Sequence, residues 1–418
     1  MKAGEAGLGV VATGDRGLAV RVAHPHLLAN YARAPVTFVR GDGCWLIDDR
    51  EERYLDLVAG LAVCALGHAH PGIVGAIAAQ AASLVHCSNL YSFEPAGELA
   101  GVLAELSGFE RVFFCNSGTE ANEAAIKLAR KYAWRNGEPE RKVVLAASGA
   151  FHGRTLGALA ATDNPLYHEG FGPLPEGFAF TPFNDVAALE LAVDERTAAF
   201  IVEPVQGESG VVPATREFLA AARRICDARG ALLIFDEIQA GMGRLGSLFA
   251  FQHFGVRPDV VTLAKALANG LPIGAVLIDG RVAGALQPGD HGTTFGGSPV
   301  PCAAALAHLR LRAQGDLDAH VRAMGQRLAN GLRAIAREFP ERFDEPRGVG
   351  LMLGLPVRPP YTAKAIVAAA LEERLLVNAA GRNTLRFVPP LIIDAQEIDE
   401  GLRRFRQAID GATNERAV

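Results

Sequence analysis

Four apolar residues in an unbroken run, Leu232-Leu233-Ile234-Phe235, lead straight into Asp236-Glu237-Ile238-Gln239. A strand that is apolar on both faces must be covered on both faces, so it belongs inside a sheet flanked by helices. A second such run, Val260-Val261-Thr262-Leu263, is followed closely by Lys265. Further short apolar runs, Val112-Phe113-Phe114-Cys115, Val143-Val144-Leu145-Ala146 and Ala199-Phe200-Ile201-Val202, alternate with helical stretches between about residues 73 and 315. That alternation predicts an α/β domain with a mostly parallel sheet.

A chain of 418 residues is too long for one minimal core, so a large domain and a smaller one are expected. The division reads as an N-terminal arm and β meander over 1–65, a large domain over 66–315, and a C-terminal part over 316–418. The meander comes from apolar runs at 36–39, 45–47 and 54–55 around tight-turn residues, and it is expected to pack with the C-terminal part to form the smaller domain. Beyond 316 the pattern gives helices over 317–339, 362–374 and 394–409, with strands between them. Residues before about 23 show no period and read as a mobile arm without the apolar core of a secretory signal.

Half the residues are hydrophobic, about a fifth are charged, and the net charge is −5. With no basic run, nucleic acid and anionic membranes are excluded as partners. The longest apolar run, residues 57–67, is too short to span a bilayer. Six scattered cysteines without a CxxC pair read as free thiols in a reducing cytoplasm.

Asp236 and Lys265 place a carboxylate and an amine at strand ends, where open α/β sheets bind ligands. Such a pair suits pyridoxal phosphate (PLP): the amine forms an imine, and the carboxylate keeps the pyridine nitrogen protonated. Each also has an ordinary reading, as a helix cap and a solvated lysine. Asn116-Ser117-Gly118-Thr119 lies between a strand and a helix with Ala121, Ala124, Ala125, Leu128, Ala129 and Tyr132 on one face. That arrangement suits a phosphate at the helix N-terminus, and equally a well-capped helix. In Phe151-His152-Gly153-Arg154 the ring can stack on a flat ligand and the guanidinium can take a carboxylate, or they are a core Phe and a surface Arg. Arg386 stands on a strand before Pro389-Pro390, facing a cleft or solvent.

Gly241-Met242-Gly243-Arg244-Leu245-Gly246 matches GxGxxG, but residues 237–240 separate it from the strand end and no strong helix follows. A dinucleotide is therefore rejected in favour of a Gly-rich loop beside the site. The pairs His24/His26 and His68/His70 lack an HExxH pattern or an acidic ligand set, so no metal is expected.

Taken together and in order, Ser117-Gly118-Thr119-Glu120-Ala121-Asn122-Glu123, Phe151-His152-Gly153-Arg154, Asp236-Glu237-Ile238-Gln239, Thr262-Leu263-Ala264-Lys265 and Gly292-Thr293-Thr294-Phe295-Gly296-Gly297 resemble the class III, PLP-dependent aminotransferases. The resemblance covers nearly the whole chain, from about residue 31 to 409. It implies the fold-type I architecture and a homodimer with sites at the subunit interface.

The resemblance also implies roles. Lys265 would bond the cofactor covalently and then shuttle protons. Asp236 would pair with the pyridine nitrogen and Gln239 with the ring hydroxyl, with Ile238 beside them, and Phe151 would stack on the ring. Ser117, Gly118 and Thr119 would hold the phosphate, joined by Thr294 from the other subunit. Arg154, with Thr293 nearby, would take the substrate α-carboxylate. Glu203 and Arg386 would form a gate, paired for an acyl-amine and parted for glutamate or 2-oxoglutarate. Tyr31 would contact substrate.

The implied reaction moves the terminal amine of N-acetylornithine to 2-oxoglutarate, giving N-acetylglutamate 5-semialdehyde and glutamate, in arginine biosynthesis. Other ω-amines stay open: succinylornithine, ornithine, 4-aminobutyrate, or an acylated lysine or diaminopimelate precursor. An aminomutase shares the fold and the lysine, but it has no use for a second dicarboxylate site. A non-catalytic PLP-binding protein would have no need of both Lys265 and Asp236.

Overall fold

The computed structural model describes residues 26–411. The proposed N-terminal arm and His24 lie outside them. The core is a seven-stranded sheet in the order 111–115, 274–278, 260–263, 232–236, 197–202, 143–147, 178–181. Only the strand Gly274–Ile278 runs antiparallel to its two neighbours, Val260–Leu263 and Arg111–Cys115. The sheet is thus mixed but mostly parallel. The runs Leu232–Asp236 and Val260–Leu263 sit side by side in parallel register, with Asp236 opposite Thr262. Every residue of both strands is buried, the burial that an uninterrupted apolar run demands.

Helix Gly118–Arg135 buries the Ala121, Ala125, Leu128 and Ala129 face against the sheet. Helix Arg216–Arg229 covers the other face, where its Phe218 edges onto Phe200 of the strand Thr197–Val202. It stops at Gly230, whose φ of 70° is the left-handed turn glycine makes cheaply. A further helix, Pro299–Ala313, had no counterpart in the sequence reading. Its burial is almost all-round, so it lacks the one-sided period that marks an amphipathic helix.

The meander forms strands Phe38–Asp42, Trp45–Asp48 and Arg53–Asp56. The strand Leu375–Leu376 joins it in parallel, so residues from the two ends of the chain share one sheet. A second four-stranded sheet contains Arg347–Val349, Met352–Pro356, Thr384–Phe387 and Asn378–Ala380. The long helix Leu317–Glu338 and the last helix Ala395–Gly411 pack on one another beside it.

The Gly-rich stretch 241–246 does not line the central cavity. Arg244, fully buried, donates through Nη1 to the carbonyls of Leu351 (3.1 Å) and Pro389 (2.5 Å). The loop is a clamp onto the C-terminal part, and Gly350 on that side lets its backbone approach the backbone of Arg244 and Leu245.

Candidate active site

A cavity of about 400 Å³ opens at the carboxyl ends of the parallel strands, with Asp236 and Lys265 both in its wall. Asp236 ends the central strand and is 4% exposed. Its Oδ2 accepts from Asn122 Nδ2 and His152 Nδ1, both at 2.7 Å, and its Oδ1 accepts from the Ile238 amide at 3.1 Å. Asn122 is itself fixed, since its Oδ1 accepts from Thr262 Oγ1 at 2.8 Å and its Nδ2 also reaches the His152 carbonyl at 2.7 Å. Each hydrogen-bond partner of the carboxylate is a donor, so its orientation is fixed. This contact assigns the Nδ1–H tautomer to His152, whose Nε2 finds no partner among the described residues.

Lys265 follows the strand Val260–Leu263 with φ of 36°, a backbone turn that lysine rarely makes. The turn swings the side chain back into the cavity. Enclosure there lowers the pKa of the ammonium, with the Glu208 carboxylate pulling the other way and the Arg386 guanidinium lowering it further. No ion pair holds the amine among the described residues, so it is available as a nucleophile and base.

Ser117 caps the helix Gly118–Arg135, its hydroxyl accepting from the Glu120 amide at 3.3 Å. The first turn of this helix lines the cavity through Gly118 and Thr119. A Cβ on Gly118 would lie 2.8 Å from Ile238 Cδ1, and one on Gly207 would lie 2.5 Å from the Gln239 amide. These glycines leave no slack between the wall and the neighbouring Ile238 and Gln239. Thr119 Oγ1 and Thr155 Oγ1 are 2.7 Å apart, and Glu123 accepts from Thr155 and from the amides of Gly157 and Ala158. Phe151 and Arg154 stand on the same side of the cavity. The residues present therefore fit a flat, anionic, aldehyde-bearing ring: an anion-binding helix end, a buried carboxylate, a free amine and an aromatic wall.

The gate expected between Glu203 and Arg386 is not formed. Arg386, 1% exposed, donates to Glu208 Oε1 at 2.5 Å, to Gln239 Oε1 at 3.2 Å and to Asn378 Oδ1 at 3.3 Å. Glu203 instead stays at the end of its strand, its carboxylate accepting from the amides of Phe151 (3.0 Å) and Gly207 (3.3 Å). Burial raises the Glu203 pKa; nearby His152 works against that and Asp236 adds to it. The physical reason for the exchange lies in the turn after the strand. The hairpin of Val205–Gln206 with Val212–Pro213 carries Glu208 outward, and the Glu208 carbonyl accepts from the Gly381 amide at 2.7 Å, docking the turn beside Arg386. Arg386 holds the Glu208 carboxylate below the usual range, although burial alone would raise it.

Thr293 accepts through Oγ1 from Asn116 Nδ2 at 3.1 Å, at the rim. Thr294 is exposed and does not line the cavity of its own chain. Tyr31, 70% exposed, is also outside that wall. His68 pairs with Asp56 at 2.8 Å, and His70 Nδ1 caps the helix Pro71–Ser83. The sequence reading missed Glu208, Asn122 and His152, although all three lie inside or next to the motifs it used. It also missed Val63, which lines the cavity from a turn where Ala59, Gly60, Leu61 and Ala62 all have positive φ.

The description "aminotransferase class-III" belongs to the family model that matches residues 28–409. Acetylornithine aminotransferase of Thermosynechococcus vestitus is 47% identical over 391 residues, covering 92% of this chain and 95% of that protein. The protein of the same name from Neisseria meningitidis serogroup B is 46% identical, covering 92% and 97%. Among solved structures, N-acetylornithine aminotransferase of Stenotrophomonas maltophilia superposes with a TM-score of 0.80 at 42% identity, covering 91% and 97%. The ornithine aminotransferase of Toxoplasma gondii gives 0.90 at 33% identity, covering 94% of each chain.

Proposed function

The chain belongs to the class III aminotransferases, a PLP-dependent family, and from that premise we propose that it moves the terminal amine of N-acetylornithine to 2-oxoglutarate. The products are N-acetylglutamate 5-semialdehyde and glutamate, and the setting is arginine biosynthesis in the cytoplasm. The names and identities of the relatives support the substrate. The observation in this chain that carries the reading is the pair of arginines around Lys265. Arg154 has no carboxylate partner among the described residues, whereas Arg386 has one built in, Glu208. Two alternating substrates, one with a single carboxylate beside an acylated amine and one a dicarboxylate, need that asymmetry. No helix among the described residues is long and apolar enough to cross a membrane.

When bound, PLP supplies an aldehyde for amines and a protonated ring that draws electrons from the carbon losing its proton. In our reading Lys265 Nζ would hold the cofactor between turnovers and, once released, would take up and return the proton of the reacting substrate carbon. Asp236 would hold the protonated form of the cofactor's ring nitrogen. Ser117, Gly118 and Thr119 take the phosphate at the helix N-terminus, with Thr294 supplied by a second copy of the chain. Phe151, Ile238 and Gln239, which line the cavity, would hold the cofactor ring. Arg154, near Thr293, binds the α-carboxylate of the acyl-amine. Glu208 neutralises Arg386 during that half-reaction and releases it when a second carboxylate arrives.

The test is a panel of amine donors with 2-oxoglutarate, scored by kcat/KM. N-acetylornithine should lead ornithine and 4-aminobutyrate by at least tenfold. A lead for either of those, or for a lysine-derived amine, overturns the substrate assignment and leaves the family.

A further inference from the structure

Arg154 is exposed at the mouth of the cavity, and among the described residues it makes no hydrogen bond or ion pair. An unpaired arginine at such a place ordinarily samples many rotamers. Here it is not free to do so. Its Cζ lies 3.6 Å from the centre of the Tyr167 ring and 5.7 Å from that of Phe151. The two rings meet edge to face, 6.1 Å apart at 86°. A cation 3.6 Å from an aromatic centroid is seated against the ring face.

Tyr167 is itself placed with care. It belongs to the short helical turn Pro165–His168, which Asn164 caps through the Leu166 amide at 3.2 Å. The next residue, His168, reaches the carbonyls of Leu159 (3.0 Å) and Thr162 (2.7 Å) through Nε2. Two carbonyl acceptors on one nitrogen require that it carry the hydrogen. Asp163 ties the same loop back to its start, accepting from the Gly149 amide at 2.9 Å. The segment from Gly149 to His168 therefore folds back on itself and lays the tyrosine over the arginine.

We propose that Tyr167 is a positioning residue that sets carboxylate recognition, by stacking on the Arg154 guanidinium and holding its N–H edge toward the carboxylate of the incoming amine. Stacking occupies a face of the guanidinium and leaves its edge donors open, the edge that binds carboxylate in two-pronged fashion. Tyr167 touches neither the reacting atoms nor the cofactor in this reading, and acts only through Arg154. The ring, rather than the hydroxyl, does this. The inference rests on Arg154 being the α-carboxylate site, as proposed above.

The test uses the PLP-loaded enzyme and the variants Tyr167→Leu, Tyr167→Phe and Arg154→Ala. Three probes are compared: N-acetylornithine, n-pentylamine, which lacks the carboxylate, and N-acetylnorvaline, which keeps the carboxylate and lacks the reacting amine. Tyr167→Leu should raise KM for N-acetylornithine about tenfold with kcat changed less than twofold. It should weaken calorimetric binding of N-acetylnorvaline by a similar factor and leave pentylamine turnover unchanged. Tyr167→Phe should behave as the parent. Arg154→Ala should abolish the preference for N-acetylornithine over pentylamine. If Arg154→Ala does so and Tyr167→Leu does not weaken N-acetylnorvaline, the tyrosine proposal fails by itself. If Arg154→Ala keeps the preference, the carboxylate assignment fails first. An equal loss for pentylamine in Tyr167→Leu would mark a merely structural role and also overturns the proposal.

Discussion

Arg386 is almost fully buried, and a buried cation stripped of its anion is a large liability, about 3–5 kcal/mol. Glu208 covers that liability whenever no substrate carboxylate is present. Glu208→Gln should therefore divide the two half-reactions. With Arg386 left waiting for an anion, glutamate should react as well as in the parent or better. The N-acetylornithine half should slow tenfold or more, because nothing then neutralises the guanidinium. Following each half-reaction separately by the cofactor's absorbance reads this directly, and parallel losses in both halves would reduce the pair to a structural ion pair. The reading from sequence alone had placed this role five positions earlier, on Glu203. Both are glutamates in one short stretch, and the hairpin whose turn holds Glu208, with Gly210 at φ of 93° and Val211 at 58°, decides which one faces Arg386. By contrast the meeting of Asp236 and Lys265 in one cavity was legible, because each comes at the end of a short strand buried on both faces.

The elements that carry the site do so through close backbone approach. Gly153 lies with φ of 139°, and a Cβ there would run into the Thr119 side chain and press on Ala158 at 3.0 Å. Thr119 sits in the first helical turn, where the cofactor phosphate is proposed to bind. Gly153→Ala should displace that turn, weakening PLP about tenfold or more in a reconstitution titration and lowering stability by about 1–3 kcal/mol in thermal melts. Unchanged PLP affinity would mean that the helix end tolerates the push and that the phosphate is held elsewhere. Strands announced themselves as apolar runs and amphipathic helices by their period, and Asn116–Ser117 fell between a strand and a helix as expected. The left-handed turn at residues 59–62 did not. It is built by Asp56, whose Oδ1 accepts from the amides of Val58 (2.8 Å) and Ala59 (2.9 Å), and by Asn269, which bonds the Leu66 amide (2.6 Å) and the Gly67 carbonyl (3.1 Å). The Asn269 bonds join residues some two hundred positions apart, and no local pattern encodes them.

At the scale of the whole molecule, polar ties fasten the N-terminal meander to the chain around it, and His68 with Asp56 is one of them. The two are 2.8 Å apart, and the imidazole is mostly enclosed. Burial alone would lower the imidazole pKa, but the hydrogen bond and charge of Asp56, with help from Cys64, outweigh it and raise the value to about 9. The backbone repeats the tie, since Gly43 and His68 exchange hydrogen bonds at 3.1 and 2.8 Å. Because the folded pKa lies above the unfolded value near 6.5, the folded state binds the extra proton across the interval between them. The contribution is complete below about pH 6.5 and is lost as pH rises through about 9. After discounting for solvent reaching the ring, it is worth about 1–2 kcal/mol. Stability measured by denaturant should therefore decline between pH 6.5 and 9.5 in the parent. His68→Gln should be less stable than the parent at pH 6 and should have lost most of that deficit by pH 9.5. A constant difference between the two across this range would show that His68 contributes by packing alone and that its proton plays no part in tying the meander to the segment that follows it.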